Sequence, residues 1–435
     1  MLLGNIFQQM YSLIDSMIVG RFIGKEALAA VGTSSPVIFL LISFIIGVTM
    51  GFTIVISQYF GAKDLLRVKR AINTMYIFLF FTSVFMSVVG ILLSGWIFHL
   101  IGLEKTIIPQ AKLFLNIFLA GIVFLFGYNG TSSILRGLGD SRTPLYFLIG
   151  SVVMNIILDL IFVPVLHLGV WSVALATVLS EGAAFLAQII YLNKYHSIVK
   201  FAFGDLKFDR EIFGKSIRIG LPTGLQQTFV AAGMVALYGI VNRFGVDANA
   251  AYSAAGRIDN FAAMPAMSFS MALSTFVGQN LGANKPHRVI NGLRSTLAMT
   301  ALISFAVSLI TVFFGRYLMQ LFTKDQLVIE YGKGYLVVIG SFYVLFSTMF
   351  TINGILRGAG DTLIPMFISL ISLWLVRIPV AYFLSRHPGV GLYGIWWSIP
   401  IGWAAGVVLS FSYFLTGRWK LKAVVRYSAG GIRTS

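Results

Sequence analysis

The chain has 435 residues, 57% of them hydrophobic and 11% charged, with a formal net charge of +17 and no cysteine. That much apolar surface exceeds what soluble domains enclose, so the solvent is lipid. The basic residues lie between apolar runs rather than on one soluble face, which excludes a nucleic-acid-binding domain, and the lack of cysteine excludes disulfides and thiol chemistry.

Apolar stretches long enough to cross a bilayer predict twelve helices, at residues 2–22, 34–57, 74–95, 113–135, 143–165, 170–192, 217–241, 252–278, 296–315, 332–355, 363–384 and 392–415. Residues 38–56 and 77–96 are continuously apolar, unlike the alternating strands of a β-barrel. The first run has neither a basic leader nor a small-residue cleavage site and is interrupted by Asp15, so it reads as a retained span, with an additional segment expected upstream of Met1. Lys and Arg gather between residues 63 and 70, 194 and 218, 285 and 294, and in the tail, which predicts cytoplasmic termini by the positive-inside rule.

The longest polar stretch lies halfway along. It divides the chain into an N-lobe (1–193), a cytoplasmic linker (194–215) that tolerates motion, a C-lobe (216–416) and a basic cytoplasmic tail (417–435). The halves repeat. ILRGLGD at Ile134–Asp140 returns as ILRGAGD at Ile355–Asp361, Pro144 returns as Pro365, and QYFGAKDLLRV from Gln58 is echoed by QNLGANKPHRV from Gln279, all at an offset of 221 residues. Gly169 and Gly391 match at 222. Six spans per half put both halves into the membrane in the same orientation, a parallel repeat suited to alternating access.

The paired ILRGxGD blocks, the Gln-x-x-Gly-Ala loops and the opening run GNIFQQMYSLIDSMIVGRFIG resemble the multidrug and toxic compound extrusion (MATE) family along essentially the whole chain. The resemblance implies an all-α polytopic membrane protein: a V-shaped pair of six-helix lobes that exports organic cations, drugs or metabolites against an inward flow of H⁺ or Na⁺.

Asp15 and Asp159 are acids inside predicted spans, where an ionised carboxylate is costly and points to function. Asn155 precedes Asp159 by four residues on one helix face, and Thr177 adds a hydroxyl. Such a set suits Na⁺ or a shared proton, because close carboxylates hold a proton between them. The family resemblance carries the cation site onto Asp15, Asn155, Asp159 and Thr177, and the adjoining cavity wall onto Gln8 and Tyr11. The repeat places Leu237 opposite Asp15 and Val380 or Ala381 opposite Asp159, so coupling is expected in the N-lobe alone.

In the second half Asp259 follows Arg257 by two residues, so the two point in different directions and need not pair directly; local neutralisation of Asp259 is expected, with a second charge site as the alternative. Arg377 within a span needs a partner, either a bracing carbonyl or carboxylate or the substrate. Trp374, Trp396, Trp397, Trp403, Tyr382 and Tyr393 are expected mainly in interface belts, with one or two in the cavity, and Arg136 and Arg357 at headgroup level. The expected protein is a monomeric cell-membrane antiporter without cofactor; a flippase for lipid-linked or headgroup-bearing substrates is the alternative. An enzyme is excluded by the lack of a His cluster, a diphosphate motif and a cysteine nucleophile.

Overall fold

A computed structural model describes residues 2–195, 204, 206–427 and 433–434. Of the expected linker, residues 196–203 and 205 lie outside the described residues, Lys200 among them, as do 428–432 and 435 of the tail. The chain resolves into two compact units, Met1–Gly220 and Leu221–Ser435.

The first unit holds α1 (Leu2–Ile18), continued by a π-helical turn at Val19–Ile23, then α2 (Lys25–Gly61), α3 (Leu65–Leu100), α4 (Ile108–Ala120), α5 (Ile122–Gly137), α6 (Thr143–Phe162) and α7 (Trp171–Tyr195), with the opening turns of α8 (Arg210–Val241). The second unit holds the rest of α8 and α9 (Val246–Gly282), α10 (Pro286–Gln320), α11 (Gln326–Gly340), α12 (Tyr343–Gly358) and α13 (Leu363–Leu370). A π-helical stretch at Ile371–Arg377, α14 (Ile378–Arg386) and α15 (Leu392–Leu415) complete it. In the tail Arg426–Tyr427 and Arg433–Thr434 form a two-residue antiparallel ladder.

Among the described residues nine helical segments are long and apolar enough to cross a bilayer on their own, and two bent pairs, α4/α5 at 48° and α11/α12 at 51°, bring the number to eleven. The twelfth expected span is α1, whose 17 residues reach residue 23 only through the π turn. Several helices outrun their apolar centres. The 37 residues of α2 extend about 55 Å against a hydrocarbon layer of about 30 Å, so the composition marks the membrane portion and the polar ends project beyond it. Phe81, Phe85 and Leu92 on α3 are exposed, as befits a lipid-facing helix.

The repeat extends to the backbone. Left-handed residues recur 221 positions apart: Gly24 and Gly245, Gly139 and Gly360, and the non-glycine pair Lys63 (φ 57°) and Asn284 (φ 55°) in the two Gly-Ala loops. Side chains follow the same register. Thr53 donates to the Ser133 carbonyl at 3.3 Å across α2 and α5, and Ser274 donates to the Gly354 carbonyl at 2.8 Å across α9 and α12.

In the first unit α2 meets α8 backbone to backbone. A Cβ on Gly51 would stand 2.1 Å from the Ser216 carbonyl oxygen, and one on Gly220 2.9 Å from that of Gly47. Small residues at a crossing let helices approach where lipid gives no hydrophobic drive to associate. The segment entering α8 is also fastened. Asp209 accepts from the amides of Glu211 and Ile212 at 3.0 Å, its own amide donates to Thr74 Oγ1 at 3.0 Å, and its carboxylate lies 3.7 Å from Arg70.

Candidate functional site

The first unit brings α1, α6 and α7 together at one level. α6 packs against both α1 and α7, and Asn155 and Asp159, four residues apart on α6, are 2% and 1% exposed. The carboxyl groups of Asp15 and Asp159 face each other at hydrogen-bonding distance. In the orientation that satisfies its amide, Asn155 donates to Asp159 Oδ2 at 3.0 Å and accepts from the Thr177 amide at 3.1 Å. Tyr11 Oη and Thr177 Oγ1 are 2.9 Å apart, and the threonine hydroxyl also reaches the Val173 carbonyl at 3.1 Å. Four of the residues singled out from sequence thus form one hydrogen-bonded cluster with Tyr11, while Gln8, two turns before Asp15, is exposed and stands outside it.

Two ionised carboxylates offer only acceptors, so their mutual hydrogen bond requires a proton between them. Asp15 Oδ1 and Asp159 Oδ1 are buried and have no donor among the described residues, which leaves two oxygens for a proton or a cation. A Na⁺ ion would draw on these two oxygens, whereas the Asn155 oxygen and the Thr177 hydroxyl already serve protein groups.

One residue escaped the sequence reading. Glu181 lies on α7 one turn beyond Thr177, and its carboxyl acts electrostatically on the hydroxyls of Tyr11 and Tyr128. The available signal was an acid in the middle of the sixth apolar run, four residues after Thr177.

The second unit is arranged differently. Asp259 on α9 accepts from Tyr343 Oη at 2.8 Å and Tyr335 Oη at 3.2 Å. As their spacing implies, Asp259 and Arg257 do not pair: they stand two apart on the helix, on opposite faces, and Arg257 is exposed. Arg377, 8% exposed at the end of the π-helical stretch, acts electrostatically on Asp259 without forming an ion pair among the described residues. Its Nε has no partner, and its stem packs on Gly402.

The aromatic belt reading fails for two tryptophans. Trp396 is fully buried and stacks on Tyr252 with ring centroids 5.6 Å apart, while Trp403 stacks on Tyr343 at 6.2 Å. Trp374 and Trp397 remain exposed. Arg136 and Arg357 also turn inward, donating to Ser133 Oγ at 2.7 Å and Ser270 Oγ at 3.1 Å.

Comparisons with known proteins give a consistent result. A family model described as MatE matches twice, at residues 1–161 and 222–383, reproducing the internal repeat. The chain is 33% identical to "Probable multidrug resistance protein YpnP" of Bacillus subtilis, over 96% of this chain and 93% of that protein. It is 32% identical to "Probable multidrug resistance protein YoeA" of the same organism, over 98% and 93%. Among solved structures, "Crystal structure of MATE in the straight conformation" superposes with a TM-score of 0.88 at 25% identity, covering 97% of this chain and 94% of that one. The protein is a multi-pass membrane protein, and the chain belongs to the MATE transporter family.

Proposed function

We propose that this protein is a secondary active exporter of amphipathic, often cationic molecules, driven by an inward cation that binds at Asp15 and Asp159. The carrying observation is the pair of facing intramembrane carboxyls with two buried oxygens free of protein donors. Taking up a proton or cation there lowers the negative charge in the interior of the first unit, and releasing it restores the charge; an element that tests both states can thereby be biased by the ion. Because Asn155 and Thr177 are already engaged, the proton is the favoured coupling ion and Na⁺ the competitor. The printed names of the two Bacillus subtilis relatives support a drug-like substrate range. The basic loops support a cytoplasmic position for both termini. A flippase calls for a basic lining, and the interior of the first unit carries three acids, Asp15, Asp159 and Glu181, against one inward-turned base, Arg136.

The test is efflux of ethidium from proteoliposomes under an imposed pH gradient or an imposed Na⁺ gradient. The pH gradient is expected to drive wild-type efflux and to fail in Asp15→Asn. Undiminished gradient-driven efflux by Asp15→Asn would sink the mechanism; drive by Na⁺ alone would replace the proton and retain the site.

A further inference from the structure

Glu181 faces the inside of its unit. The exposed apolar stripe of α7 consists of Leu179, Leu186 and Ile190, and at 100° per residue Glu181 lies between about 140° and 180° from each of them. It shares the inward face with Thr177, and the side chain is half-buried. Tyr11 of α1 and Tyr128 of α5 are within its electrostatic reach, and Arg136 bears on Tyr128 as well. Among the described residues Glu181 has no hydrogen bond and no ion pair, and no basic side chain acts on it. A carboxylate inside a membrane span ordinarily faces a partner or a cavity, and here the protein supplies only two phenols.

We propose that Glu181 is the charge-selecting residue of the transport cavity, receiving the ammonium or other monovalent cationic centre of an organic substrate, with Tyr11 and Tyr128 presenting aromatic surface beside it. A cation close to a carboxylate and aromatic faces is held by both. The assignment deepens the proposed export of cationic molecules and rests on that reading for the substrate class. It also joins the substrate to the driving ion, since Tyr11 is hydrogen-bonded to Thr177, which adjoins Asn155 and so the Asp15–Asp159 pair. The repeat supplies a contrast: at the offset of 222 that relates α7 to α15, the place of Glu181 is taken by Trp403, which is packed against Tyr343.

Equilibrium binding of radiolabelled tetraphenylphosphonium to the purified full chain in nanodiscs, with no ion gradient, tests this separately from coupling. Wild type is expected to bind saturably, Glu181→Gln to bind about tenfold or more weakly, and Glu181→Asp to stay within about threefold of wild type. Competition by the uncharged triphenylphosphine oxide should be the same in all three. A second measurement needs no variant: carbodiimide labelling of Glu181 in wild type, followed by mass spectrometry, should be slowed by tetraphenylphosphonium. Wild-type affinity in Glu181→Gln, equal loss of charged and uncharged ligands, no saturable binding by wild type, or labelling indifferent to the cation would each overturn the proposal. Undiminished gradient-driven efflux by Asp15→Asn alongside normal cation binding would remove the coupling site and leave this one standing.

Discussion

The two units share a scaffold and differ in what they bury. In the first, α7 Gln188 donates to α5 Ser132 at 2.9 Å; in the second, α15 Ser410 donates to α12 Asn353 at 3.0 Å. The same join is made with the long and short side chains exchanged, so it is retained as geometry rather than as residue identity. Charge is not retained. Asp15 corresponds to Leu237 and Asp159 to Val380 or Ala381, and Leu237 and Ala381 are fully buried members of one apolar cluster. The acid of the second unit, Asp259, is held by two tyrosines and lies near Arg377, whereas Asp15, Asp159 and Glu181 have no basic partner among the described residues. A duplicated frame can thus be kept by its hydrogen bonds while one copy alone leaves buried charges unbalanced.

The sharpest way to break this comparison is to neutralise one acid in each unit. Asp159→Asn should lower gradient-driven ethidium efflux about 100-fold, and Asp259→Asn less than about threefold, because only the first removes an unbalanced charge from the membrane interior. Equal losses would end the idea of a single coupling unit.

The glycine seams give a structural version of the same contrast. A Cβ on Gly358 meets the Ser274 carbonyl oxygen at 2.4 Å, whereas on Gly137 the nearest atom is 3.0 Å away. Gly358→Ala should cost about 3 kcal/mol and Gly137→Ala about 1 kcal/mol, read as thermal stability in detergent. The exchanged pair offers a double-mutant cycle. Ser132→Asn and Gln188→Ser should each cost about 1–2 kcal/mol alone and recover more than half of the summed loss together, as the second unit already makes that pairing.

The smallest effect concerns the repeated aspartates. Asp140 accepts from the amides of Arg142 and Thr143 at 3.1 and 3.0 Å, capping α6, whereas Asp361 accepts from Tyr413. Asp140→Ala should cost about 1 kcal/mol. Tyr413→Phe, which removes the hydrogen bond to Asp361, should likewise cost about 1 kcal/mol, read as thermal stability in detergent.

What the sequence revealed follows from how each feature is encoded. Spans, the repeat and the Asp15–Asp159 site were legible because hydropathy, a fixed offset and the four-residue spacing of Asn155 and Asp159 are local or periodic signals. The partners of Asp259 were not, since Tyr335 and Tyr343 lie 76 and 84 residues away and only the α9, α11 and α12 packing brings them in. Burial of Trp396 was missed for a related reason: interface and core aromatics have the same composition, and it took Tyr252 and Tyr335 to decide between them. Glu181 was overlooked although its signal was local, one acid within an apolar run.

The contact of α2 with the opening turns of α8 has a practical use. Where Gly47 and Gly51 meet Ser216 and Gly220 there is no side chain to rotate or compress, so the two segments have no softer arrangement to relax into. Labels placed on α2 and on residues 210–220 should keep their separation through every step of the cycle. That pair is an internal yardstick, against which any distance that does change can be calibrated.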